Sequence, residues 1–145
     1  MINCHQLRIG NIILVNNRMR KVSAISLNNQ SSVSVESITN EEPETCSVED
    51  IHPLLITDSI LQQCNFIFHD YFRIWQLGSI SFTGIEMELD RDYNIVNFLR
   101  RPLVKKIASL HQLQNIYFMV HGKELDFDVD TIGLKESMNS AFARN

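Results

Sequence analysis

The chain has 145 residues, of which 44% are hydrophobic and 21% charged, and its formal net charge is −4. This is the composition of a folded chain with one good core or two small ones, which excludes a disordered polymer. The negative balance excludes attachment to nucleic acid by bulk charge, leaving only a local basic patch, and no apolar run is long enough to span a membrane.

In chain order, the first residues, "MINCHQLRIGN", lack a basic start followed by an apolar core, so no secretion signal is expected. The three cysteines, Cys4, Cys46 and Cys64, are odd in number and widely spaced. No C-x-x-C pair occurs among them. They predict passive thiols in a reducing cytoplasm rather than a disulfide framework.

Residues 1–56 read as a small β-domain. "LRIGNIILV" turns at Gly10-Asn11 and enters a strand over Ile12–Val15. Asn16-Asn17 turns the chain into "RMRKVSAISL", and "NNQ" turns it again. In "SSVSVESI", Val33 and Val35 share one face. After the polar "TNEEPE" loop, "TCSVEDIHPLLI" supplies a last short strand, with Pro53 holding His52 extended. Short strands at this spacing, without helix-length crossovers, predict an antiparallel barrel of SH3-like type.

Thr57 or Asp58 caps a short linking helix with Ile60, Leu61 and Cys64 as its apolar stripe. Then β-structure returns. "FIFHDYFRIWQL" predicts a hairpin turning near His69-Asp70, "SISFTGIEMELD" a strand with a bulge at Gly84, and "YNIVNFL" and "PLVKKI" shorter strands. "SLHQLQNIYFMVHG" is the last helix. Ser109 and Gln112 match the S-x-x-Q capping box, and Gly122 fits a left-handed stop. Leu110, Leu113, Tyr117 and Val120 recur at helical spacing as its core stripe. Residues 128–145 form a polar tail, either a loose helix or disorder.

Three stretches stand out together: "LRIGN" at Leu7–Asn11, "IHPLLIT" at Ile51–Thr57 and "HQLQNIYF" at His111–Phe118. In that order they resemble a family of small, uncharacterised proteins found in Bacteroides-type bacteria, their prophages and their phages. In that family the motifs read "LRIGN", "I-x-P-I-x-L-T" and "HQLQNLYF". The resemblance covers residues 5 to about 127. Leu55-Ile56 and Ile116 depart from the pattern, and the tail is an extension. The resemblance implies a phage or mobile-element setting and implies no activity.

The last helix carries the first candidate site. His111, Gln114 and Asn115 share a face beside the apolar stripe. They form either a polar recognition patch, with His111 as an acid or base, or internal bracing to neighbouring backbone. Bracing is the expectation, because buried polar groups usually bond backbone. "YFRIWQL" carries the second. On a strand, Tyr71, Arg73 and Trp75 share a face that could stack bases or anchor a protein contact, unless Trp75 belongs to the core. Two basic groups, Arg18, Arg20 and Lys21, and Arg100, Arg101, Lys105 and Lys106, could contact phosphates or lie on solvated faces.

Glu86, Glu88 and Asp90 alternate on a strand, as do Asp126, Asp128 and Asp130. Both sets read first as solvated faces rather than cation sites. The five histidines show no H-x-x-x-H spacing. The sequence also lacks a G-x-S-x-G elbow, a phosphate-cradling glycine loop and a dinucleotide fingerprint.

The sequence therefore predicts an α+β fold. It comprises an SH3-like barrel (1–56), then a linking helix and a small antiparallel sheet packed on the last helix (57–127), then the tail (128–145). No cofactor and no metal site are expected. The leading function is a non-enzymatic phage or mobile-element accessory protein that binds another protein of host or phage. The alternatives are a nucleic-acid-binding accessory protein, and a small-ligand binder or enzyme using the His111 helix.

Overall fold

The structure, a computed structural model, describes residues 2–26, 32–37, 43–79, 84–97 and 99–128. The expected "NNQ" turn, most of the "TNEEPE" loop, Asp130 and the tail from residue 129 lie outside them. The architecture is α+β, with two antiparallel sheets. The chain divides into two units: residues 1–56 with 107–124, and residues 57–106 with 125–145.

The first unit holds β1 (Ile12–Val15), β2 (Arg18–Ser26), β3 (Ser32–Ser37), β4 (Glu44–Ser47) and β5 (Ile51–His52). Their order is β4-β3-β2-β1-β5, and the sheet curls into a half-barrel. Asn16 and Asn17 both have positive φ, 51° and 61°, which makes the tight β1–β2 turn. A register shift between Val22 and Ala24 bends the long β2. Residues 45–56 are not the single strand expected. A 3-10 turn at Val48–Asp50 divides them, with Ser47 Oγ accepting from the Glu49 N–H at 3.4 Å. The turn carries the chain from β4, at one edge of the sheet, to β5, which pairs with β1 through Leu14↔His52 and Val15↔Ile51. Ile13, Val22, Val33, Val35 and Ile51 fill the core with Ile2, Leu7, Val15 and Cys46.

The second unit opens with α1 (Asp58–Gln63). Thr57 Oγ1 caps it by accepting from the Ile60 N–H at 3.2 Å. A meander follows: β6 (Ile67–His69), β7 (Ile74–Ser79), β8 (Gly84–Asp90), β9 (Ile95–Val96) and β10 (Pro102–Val104), paired in that order. The bulge falls at Glu86 rather than Gly84, because Leu77 faces Met87 while Gly78 faces Ile85. Phe66, Trp75, Leu77, Met87, Leu89, Ile95 and Val96 are buried. The Tyr93 hydroxyl donates to Asp58 Oδ1 at 2.6 Å and ties the β8–β9 turn to the start of α1. Burial and that carboxylate push the Tyr93 phenol up to about 12.

The last element among the described residues is α2 (Leu110–His121), which ends at Gly122 with φ of 68°. It was expected on the second sheet. It belongs instead to the first unit, where its side chains bond the backbone before and within β1. Val120, placed by periodicity in the core stripe, is exposed, whereas Leu110, Leu113 and Tyr117 are buried as expected. The capping box forms only in part. Ser109 makes no side-chain cap bond, and Gln112 Oε1 accepts from the Ala108 N–H one residue further out, at 3.1 Å.

All three thiols are free and buried. Burial pushes Cys64 up to about 12 and raises Cys46, as befits unreactive thiols. Among the described residues no helix is long and apolar enough to cross a membrane.

Candidate functional site

The three sequence motifs converge in the first unit. "LRIGN" makes the turn before β1. Gly10 takes a φ of 97°, its N–H donates to Val22 O at 2.8 Å, and the Val22 N–H donates to Asn11 O at 2.8 Å. The φ of Gly10 favours glycine by its shape, whereas the nearest atom that an added Cβ would meet is the end of the flexible Glu124 side chain, Oε1 at 3.2 Å. "IHPLLIT" runs beside the start of α2. The Leu110 N–H donates to Leu54 O at 2.8 Å, the Ile56 N–H donates to Ala108 O at 3.0 Å, and Leu55 bridges Ser109.

"HQLQN" then locks onto the "LRIGN" turn. Gln114, buried, accepts at Oε1 from the Ile12 N–H at 2.9 Å and from Asn11 Nδ2 at 3.5 Å. Its Nε2 donates to Gly10 O at 3.4 Å. Asn115 accepts from Asn11 Nδ2 at 2.8 Å and from Arg8 Nε at 3.3 Å, and its Nδ2 donates to Gln6 O at 2.8 Å. Arg8 lies over the Phe118 ring, 4.1 Å from its centroid, and grips both Glu124 carboxylate oxygens, with Nη2 2.9 Å from Oε2. Hydrogen bonding from Arg8 holds the Glu124 carboxyl below its ordinary range. Partial burial opposes this, and the charges of Arg8 and Lys21 reinforce it.

Gln114 and Asn115 are therefore braces. Their donors and acceptors are taken up by the N-terminal turn, and a ligand would have to displace those bonds, leaving the buried Gln114 amide unpaired.

His111 differs. It is 3% exposed, and among the described residues neither ring nitrogen has a hydrogen-bond partner. Burial lowers its pKa from the ordinary histidine range, which favours the neutral ring. An unfolded chain binds a proton there near pH 6.5 and the folded one does not. Stability is thus intact above that pH and falls as the pH drops from there toward the folded-state pKa. His111→Leu should be at least as stable as the parent at pH 7, because it removes two unsatisfied polar atoms. Its urea midpoint should also decline less between pH 6.5 and pH 5. A parallel decline in both proteins would assign the acid sensitivity elsewhere.

The second candidate set is broken up. Tyr71, Phe72 and Arg73 lie in the turn between β6 and β7, not on a strand face. Arg73 has a φ of 54°, and its N–H closes the turn on His69 O at 2.8 Å. Trp75, the second residue of β7 after the buried Ile74, is 4% exposed, with its ring 5.1 Å from that of Phe68. It leaves the set for the core. Sequence alternation missed Phe72, which takes its place. Tyr71 is 87% exposed and Phe72 48%, their rings meet edge-to-face at 5.0 Å, and the Arg100 guanidinium lies over Phe72, 4.3 Å from its centroid.

The first basic group also separates. Arg20 is buried and lies 3.3 Å from the Glu44 carboxylate, so it cannot be a free phosphate contact. Arg18 and Lys21 are exposed. Arg100, Arg101, Lys105 and Lys106 are all exposed.

The carboxylates of β8 serve the sheet. Glu88 accepts from Gln76 Nε2 at 3.0 Å, and Asp90 accepts from the Asp92 and Asn94 N–H groups at 2.9 and 3.0 Å. Among the described residues no group of three or more His, Cys, Asp or Glu is placed to hold a metal ion. No protein-family model, curated protein or solved structure matches the chain.

Proposed function

We propose that the chain is a non-enzymatic accessory protein of a phage or mobile element, and that it works by binding another protein through the Tyr71–Arg73 turn and Arg100. The exposed Tyr71–Phe72 pair with Arg100 stacked on it carries this reading. Two adjacent aromatic rings at the tip of a turn do nothing for a core, and Tyr and Arg are the side chains that dominate protein contacts. The resemblance of the three motifs supplies the setting. The ligand or enzyme reading loses support, because Gln114 and Asn115 are engaged in bracing.

A tagged full-length chain should retain one specific protein from host extract, and Tyr71→Ala/Phe72→Ala should lose it. Each contact aromatic is worth roughly 2 kcal/mol, so the loss should be at least about 30-fold. Both side chains are exposed, so the urea midpoint should not move. Equal recovery by the double variant would end the reading. The nucleic-acid alternative is favoured by Arg100, Arg101, Lys105 and Lys106 lying exposed in the same unit. It predicts instead that nucleic acid is retained and released steeply by salt.

A further inference from the structure

The segment Leu99–Lys106 adds a chemical description of the partner. Between Asp92 and Glu124 the sequence has no acidic residue, yet it has Arg100, Arg101, Lys105, Lys106 and Lys123. Within this stretch Leu99 and Leu103 are 61% and 65% exposed and Val104 is also exposed, so aliphatic side chains interleave with the cations. Among the described residues, no ion pair engages Arg100, Arg101, Lys105 or Lys106.

The segment is held in shape. Asn97 Oδ1 accepts from the Leu99 and Arg101 N–H groups, both at 3.0 Å, and the Asn97 N–H donates to Arg101 O at 3.0 Å. Positive φ at Arg100 (60°) and Lys106 (47°) turns the chain at both ends of β10. The Lys106 N–H is fixed to Asn94 Oδ1 at 2.6 Å, and Arg100 is fixed over Phe72. The cations are therefore presented from a preset backbone, which reduces the ordering that binding requires. The segment is also joined to the aromatic turn through Arg100.

Resting on the protein-interaction reading, we propose that Leu99–Lys106 recognises an acidic segment of the partner that also carries apolar side chains. The charge is complementary, and the exposed leucines need apolar partners that a phosphate backbone does not offer. A chain of net charge −4 also repels a long polyanion at a distance, while a short acidic segment meets only the local basic patch. Recognition runs through side chains rather than strand addition. β10 is an edge strand of three residues, it begins with Pro102, which has no N–H to offer, and lysines follow it.

The test uses fluorescence anisotropy on the full chain at low salt. The probes are a labelled twelve-residue peptide of alternating Glu and Leu, the same peptide with Gln for Glu, and a single-stranded oligonucleotide. The Glu peptide should bind at least about tenfold more tightly than the Gln peptide and more tightly than the oligonucleotide. Arg101→Glu should weaken it about tenfold, while Arg18→Glu, with the same charge change in the first unit, should leave it within about twofold. The proposal is overturned if the Glu peptide does not bind, if the Gln peptide or the oligonucleotide binds as well, or if Arg18→Glu is as damaging as Arg101→Glu. In that event, a protein partner still lost by Tyr71→Ala/Phe72→Ala leaves the interaction reading standing and removes only the acidic-segment proposal.

Discussion

Gln114→Leu is expected to destabilise the first unit by about 3 kcal/mol, read as a lower urea midpoint with an unchanged denaturant slope. Leucine keeps most of the volume and loses only the amide. The Ile12 N–H, otherwise bonded at 2.9 Å, is then buried without an acceptor at the first residue of β1, and Gly10 O loses its donor. Asn11 keeps Asn115 as a partner, so the loss is not total. Asn11→Ala should be comparably costly. Asn11 is fully buried, and its Oδ1 accepts from the Arg8 N–H at 2.7 Å while its Nδ2 reaches both helix amides. The double variant should cost less than the sum of the two, because both act on one network. If Gln114→Leu is as stable as the parent, the helix is held by its apolar stripe alone, and the amides become available as a ligand site again.

Gly78→Ala should be as damaging in the second unit. Gly78 has a φ of 98°, and a Cβ there would meet Gly84 O at 2.5 Å and the Glu86 N–H nitrogen at 2.9 Å. Both obstacles are backbone atoms of the paired strand at the bulge, which cannot move without opening the β7–β8 ladder. Conformational strain and steric clash together should cost about 3 kcal/mol or more. Gly84→Ala provides the control. Its φ of 75° is also unfavourable, but nothing among the described residues lies within 4 Å of the added atom, so only the backbone penalty of about 1 kcal/mol remains. Thermal unfolding of the two variants should separate them clearly. Similar melting temperatures would mean that the bulge yields.

Local signals carried much of the fold. β1 and the Asn16-Asn17 turn, the inward pair Val33 and Val35, the Thr57 cap and the Gly122 stop each depend on a few neighbouring residues, and each lies where the sequence puts it. Partnership over distance was not legible. Periodicity marks the buried face of α2, but its partners Gln6, Gly10 and Asn11 are more than a hundred positions away. The presence of polar groups on that face was visible, and so was the preference for bracing; the identity of the braced turn was not. Alternation failed at Tyr71–Arg73 because it assumes a continuous strand, whereas Arg73 in a left-handed conformation breaks the period just before Trp75. The division of residues 45–56 had a faint signal in Ser47 followed by Glu49 and Asp50, a cap and an acidic first turn.

The order of residues in the first unit also bears on how the chain is made. Residues 107–124 complete a unit begun by residues 1–56, and residues 57–106 intervene. During synthesis the half-barrel emerges early, with Ile12, Asn11 and Gly10 still lacking the amides that satisfy them. Residues 57–106, which hold the meander of the second unit, are made next, and that meander pairs only neighbours in sequence, a pattern that folds quickly. Closure of the first unit waits until α2 leaves the ribosome, so this later-made helix acts as a latch on an earlier-made turn. The paired segments at Ile56 and Ala108 form the stem from which the intervening residues depart and to which they return. A ribosome that stops before residue 107 therefore releases a half-barrel whose turn, lacking α2, stays open to solvent, a species ready for capture by proteolysis rather than a smaller working protein.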